Sequence, residues 1–206
     1  MIAALYVATG GCYYDLDDVD PWDEARDART YPGPHPVVAH PPCQRWGRYW
    51  FGGPLCHKNG TRKIKGDDGG CFAAALASVR RWGGVLEHPA SSHAWSAHGL
   101  AAPHHRGGWI MADTHGWTCH VEQGHYGHRA RKATWLYAVR CELPSLTWGP
   151  SAATMRLDEG FHSAEDRRRA RTEGEAPIKC MGKRERAATP IPFRDLLIDM
   201  ARSVKP

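Results

Sequence analysis

The sequence predicts one α/β domain, spanning residues 1–206, with a mostly parallel sheet. Three observations carry that class. Short apolar runs at Ile2 to Ala8, Val37 to His40 and Val85-Leu86 each lead into a glycine- or proline-bearing turn, as buried strands do. Between the second and third lies Cys71 to Trp82, where Phe72, Leu76 and Val79 recur at i, i+4 and i+7 on one helical face. A helix between two strands allows them to run parallel. The length of 206 residues leaves room for one sizeable core.

The elements follow in order. Ile2 to Ala8 is the first strand, closed by Thr9-Gly10-Gly11. A glycine pair lets the backbone turn tightly or approach a ligand closely. Asp15 to Arg29 is rich in acids and reads as a solvated loop, with one acid available to hold a ribose or another polar group. Tyr31 to Pro36 is a proline-rich loop. The strand Val37 to His40 then runs into Pro41-Pro42-Cys43-Gln44. Two prolines fix φ twice and remove two donors, which holds Cys43 just past the strand's end. The stretch 44–70 mixes Gly, Lys and Arg with Trp46, Tyr49, Trp50 and Phe51 and has no periodicity. It reads as a mobile catalytic-site loop suited to phosphate and base contacts.

Gly83-Gly84 stops the helix, and Val85-Leu86 leads into Glu87-His88-Pro89. Ser91 or Ser92 starts a short helix carrying Trp95, and 99–115 reads as loop. Trp117 to Gln123 and Ala133 to Val139 alternate as strands. A basic, His-rich segment, 124–132, joins them. The region 140–188 is a polar insertion with a short charged helix from Glu165 to Arg171. Thr189 caps the final helix, Pro190 takes its first position, and Phe193, Leu196, Leu197 and Met200 form its apolar stripe.

A net charge of +5 permits a polyanionic partner. The seven cysteines contain no CxxC and number oddly, which points to free thiols in a reducing compartment. No secretory signal pattern opens the chain. No apolar stretch approaches the roughly 18–20 residues of a membrane span. The setting these features predict is cytoplasmic, without membrane attachment.

Three pieces line up along the chain. Pro41-Pro42-Cys43-Gln44 follows one strand, Glu87 follows the next, and Tyr126-Gly127 with Arg131-Lys132, Thr134 and Trp135 opens a third. This set resembles the DNA cytosine-5 methyltransferase family, small phage-type members above all. There the motifs are PPCQ, Glu-Asn-(Val or Pro) and a basic segment opening with Tyr-Gly. Tyr6-Val7-Ala8-Thr9-Gly10-Gly11 is similar to the family's glycine-rich cofactor loop. The resemblance implies a reduced Rossmann-like methyltransferase fold and methyl transfer from S-adenosylmethionine to C5 of cytosine in DNA. It implies Cys43 as the nucleophile at C6, Glu87 as the group holding the base, and Lys132 and Arg131 as the cations. Cofactor contacts fall on Tyr6, Gly10, Gly11 and Asp27. Substrate contacts fall on Pro42, Gln44, Arg45, Trp46 and Tyr126. The host is a bacterial or phage-infected cell. The chemistry is coherent, because a thiolate adding at C6 turns an unreactive ring into an enamine and splits one hard step into two. The base must leave the helix stack to be reached.

The chain departs from the family in four places. His88 follows Glu87 where Asn is usual, and the Gln-x-Arg-x-Arg motif reads Ala130-Arg131-Lys132-Ala133-Thr134. The span from Gly11 to Cys43 is short for two β-α units, and 140–188 is short for a target-recognition domain. These departures favour a protein partner for target recognition. They also define the rivals: a non-catalytic or cofactor-altered nucleic-acid-binding relative, or an enzyme acting on a cytosine or uracil nucleotide. A zinc protein is the remaining alternative, with Cys56-His57, His104-His105, Cys119-His120, His115, His125 and His128 as available ligands. None of these clusters has a recognised zinc spacing, and no residue is assigned to a metal.

Overall fold

The computed structural model describes residues 1–52, 60–61, 63–155, 157, 164–173 and 181–205. The catalytic-site loop and the polar insertion therefore lie partly outside the described residues. Within them, β1 (Ile2–Leu5), β2 (Val19–Trp22), β3 (Val37–Ala39), β4 (Gly84–Pro89), β5 (Ile110–Met111), β6 (Trp117–Glu122) and β7 (Ala133–Val139) form one sheet. Its order is β2-β1-β3-β4-β7-β6-β5. The first four strands in that order are mutually parallel. β7 is antiparallel to both β4 and β6, so β6 points the same way as β4, while β5 is antiparallel to β6. The protein is thus α/β with a mixed sheet, in which five strands share a direction, an arrangement compatible with a Rossmann-like fold.

Alternation along the strands builds two cores. Ala3, Leu5, Val37, Ala39, Leu86 and Tyr137 face α1 (Cys71–Trp82) through Phe72, Leu76 and Val79. Ile2, Ala4, Val38, Val85, Leu136 and Ala138 face α5 (Ile191–Arg202) through Phe193, Leu197 and Ile198. One long helix therefore covers each face, as the i, i+4, i+7 stripes require. α1 takes up the residues the sequence predicts for it and ends at Gly83, whose φ is 79°. At Gly84 a Cβ would lie 2.0 Å from the Val37 carbonyl oxygen, so only glycine lets β4 start against β3.

Three elements depart from the sequence reading. The stretch 99–115, read as loop, contains the two-residue strand β5. The acidic stretch contains β2, Val-Asp-Pro-Trp, an edge strand. Pro21 is tolerated there because an edge strand has backbone positions with no ladder partner, and the acids masked its apolar pattern. The N-cap of α5 is Pro190, without a side-chain cap, and Pro192 falls in the first turn. Ser92 does cap α2 (His93–Ala97), accepting from the Ala94 N–H. The charged helix is present as α3 (Ala164–Thr172), and a further short helix, α4 (Lys183–Ala187), precedes α5.

Candidate active site at the carboxyl edge of the sheet

From β1 the chain goes to β2 on one side and returns to β3 on the other. The crevice beyond the carboxyl ends of β1 and β3 is therefore a topological switch point, where α/β sheets bind ligands. The elements that meet this edge bring their residues from different directions. β3 ends into His40, Pro41, Pro42 and Cys43, and β4 ends with Glu87, His88 and Pro89. β6 points the same way and delivers Gln123. β7 is antiparallel, so its beginning lies at this edge, with Thr134 opposite Pro89 and Lys132 just before it.

Cys43 opens a tight turn, its carbonyl accepting from the N–H groups of Trp46 and Gly47 at 3.0 and 3.1 Å. Burial, then the Glu87 charge, push its thiol up, while Lys132 pulls it down. Lys132 sits within electrostatic reach of Glu87, Cys43 and Cys12. Burial lowers its pKa and these three groups act against that shift. Its backbone φ is 44°, and its ammonium donates to the Ala188 carbonyl at 2.7 Å, just past the end of α4.

Glu87 is the centre of a buried polar chain. Its Oε2 lies 3.0 Å from His40 Nδ1 and its Oε1 accepts from Gln123 Nε2 at 3.2 Å. His40 Nε2 lies 2.8 Å from the Tyr13 hydroxyl, and Gln123 also donates to Thr134 at 3.1 Å. Burial works against the carboxylate, but the hydrogen bond and charge of His40, with Lys132, outweigh it and hold Glu87 below the usual range. Among the described residues the Gln123 Oε1 has no partner, and neither ring nitrogen of His88 makes a hydrogen bond of ordinary geometry. Burial pushes His88 down to about 4, against the opposing pull of Glu87 and the Pro42 carbonyl.

The other predicted residues divide. Pro42 and Gln44 are exposed beside Cys43. Arg45 donates to the Trp50 carbonyl at 3.2 Å. Trp46 is a core residue, packed against Phe72 and donating to Asp68 at 2.7 Å, which fits anchoring of the loop better than contact with a base. Tyr126 packs on Phe193 of α5. Arg131 is exposed. Gly10, at φ 64°, has open space where a Cβ would lie. Asp27 forks onto Arg29 at 2.7 and 2.8 Å. The acid that directly follows β2 is Asp23, which accepts from Thr9 and Tyr14, both at 2.7 Å, and from two backbone amides. The buried Tyr6 hydroxyl has no partner among the described residues.

Sequence reasoning missed His40, Tyr13 and Gln123 as members of the site. A histidine at a strand's end was the available signal for the first. Tyr13 and Gln123 gave none, because they reach the site from the turns that follow β1 and β6. Among the described residues no three His, Cys, Asp or Glu side chains are grouped to hold a metal. The Cys56-His57 pair lies outside those residues. No described helix is long and apolar enough to cross a membrane. No family model matches the chain, and no curated protein or solved structure shows a significant match.

Proposed function

We propose that the chain is a DNA cytosine-5 methyltransferase-like enzyme. The observation that carries this reading is the meeting of Cys43, Glu87 and Lys132 at one sheet edge, within electrostatic reach of each other. The thiolate is the nucleophile at C6, Glu87 holds the ring at N3, and Lys132 offsets the negative charge of both. The ring then gains nucleophilic character at C5. Once C5 has gained a methyl group, loss of the C5 proton to solvent and departure of the thiolate would restore the ring and the enzyme. The mixed sheet, with its switch point beside Cys43, supports a reduced methyltransferase fold.

The residues around the switch point fit a bound methyl donor in two respects. The Tyr6 hydroxyl is an orphaned buried group, and Gly10 leaves open space at its turn. S-adenosylmethionine would be held by Tyr6, Gly10, Gly11 and Asp27, and when bound it supplies an electrophilic methyl group. On the nucleic-acid side, Arg48 lies over the Tyr49 ring and Lys65 over that of Trp50. Cations paired with aromatic faces suit phosphates and an unstacked base. A protein partner supplies target recognition in this reading.

The test is covalent trapping. DNA containing 5-fluorocytosine, incubated with the protein and S-adenosylmethionine, forms an adduct that persists because fluorine at C5 cannot leave as the proton does. Wild-type protein yields the adduct and Cys43→Ser yields none. Absence of a wild-type adduct overturns the mechanism.

A further inference from the structure

His40 belongs to none of the motifs that single out Cys43, Glu87 and Lys132, yet both of its ring nitrogens are engaged at the centre of the site. We propose that His40, anchored by Tyr13, is a positioning residue that supplies Glu87 with the proton presented to ring N3. This rests on the cytosine-modifying reading above.

The need for such a supply follows from hydrogen-bond inventory. Ring N3 of cytosine is an acceptor, and an ionised carboxylate is acceptor-only. Glu87 must therefore carry a proton to hold N3, although its surroundings keep it ionised at rest. Among the described residues, the groups hydrogen-bonded to its oxygens are His40 and Gln123. An amide does not give up a proton, and an imidazole can. Lys132 acts on Glu87 through its charge while its ammonium donates to the Ala188 carbonyl.

Tyr13 suits both protonation states of His40. Its hydroxyl can donate to a bare Nε2 or accept from a protonated one, so the imidazole gains or loses charge without moving. The Tyr13 ring is 3% exposed and packs tilted against His40 at 5.4 Å. Burial raises its phenol well above the ordinary range, which makes it an anchor and not an acid. The other charged and titratable groups facing this chain are Cys43, His88 and Lys132 around Glu87. Around Tyr13 they are Cys12, Arg194 and Asp195.

In the imidazolium form, His40 directs Nδ1–H to Glu87 and Nε2–H to the Tyr13 oxygen. The Cys43 sulfur, its proton lost to solvent, bonds to C6. The C5=C6 pair becomes C4=C5, and the C4=N3 pair takes a proton at N3. Glu87 passes that proton on from Nδ1, leaving neutral His40 with its proton on Nε2. When the sulfur leaves, the N3 proton returns by the same route.

His40→Asn keeps an N–H donor toward Glu87 but stores no proton, which separates supply from placement. Trapping rates on 5-fluorocytosine DNA are measured from pH 5.5 to 8.5, with unfolding by urea as the check on folding. His40→Asn traps about 100-fold more slowly, the scale of general acid catalysis, and its rate profile across that pH range differs in shape from wild type. Tyr13→Phe traps more slowly than wild type and keeps the wild-type profile shape. A His40→Asn variant as fast as wild type, or slower with the wild-type profile shape unchanged, overturns the relay while leaving the cysteine mechanism standing. A wild type that traps nothing overturns the underlying reading and the relay with it. Histidine-labelled nitrogen NMR gives a readout independent of turnover. Protonated Nδ1 at neutral pH agrees with the relay, and a tautomer with bare Nδ1 overturns it.

Discussion

The two halves of the carboxyl edge are built on opposite principles. At the ends of β1 and β2 the acids are satisfied internally. Asp23 accepts four hydrogen bonds and Asp27 is forked by Arg29. At the ends of β3, β4 and β6 the polar groups are left in tension. A thiol is raised, a carboxyl is lowered against its own burial, and the Gln123 Oε1 has no partner among the described residues. A buried polar atom without a partner costs about 1–3 kcal/mol. In the proposed reading a substrate supplies the missing partners beside Cys43, while the satisfied acids of the β1–β2 side hold the scaffold around the methyl donor. Tyr6 is the exception on that side.

The largest stability effect belongs to His88. The unfolded chain protonates this residue near its ordinary 6.5, the folded chain only at about 4. Between those values the unfolded state binds more protons, so stability rises with pH. The contribution is full above about 6.5 and is lost as pH falls toward 4, a change of roughly 3 kcal/mol. Glu87 acts in the same direction at lower pH, since its folded pKa is depressed. Urea midpoints at pH 7 and 4.5 measure the sum. His88→Phe flattens the curve between them, and an unflattened curve would show that the ring is not held neutral.

Next comes Asp23→Ala, which lowers the melting midpoint by a few degrees. With saturating methyl donor it leaves Cys43 trapping within about twofold, as neutral surface-type scaffolding changes do. Loss of trapping with the fold intact would move Asp23 into the reactive half. The smallest effect is that of Tyr6→Phe. Removing an orphaned hydroxyl stabilises the ligand-free protein by about 1 kcal/mol and weakens S-adenosylmethionine binding measured by calorimetry. Unchanged binding would extend the scaffold assignment to the whole β1–β2 side.

Local pattern was sufficient for β1, β3, α1, β4, β6, β7 and α5, because each buries a stripe whose spacing is written in consecutive residues. It was sufficient also for Cys43, whose two preceding prolines set its place without help from elsewhere. β2 escaped because acids and a proline hide a four-residue edge strand, and β5 because two residues carry no periodicity. Strand direction was beyond local reach, since the same alternation serves parallel and antiparallel pairing. That direction matters most at β7. Running against β4, it sets its first residues at the carboxyl edge and brings Lys132 to Glu87. The Tyr13–His40–Glu87–Gln123 chain joins four segments far apart in sequence, and its hydrogen bonds exist only once β1, β3, β4 and β6 are ordered side by side.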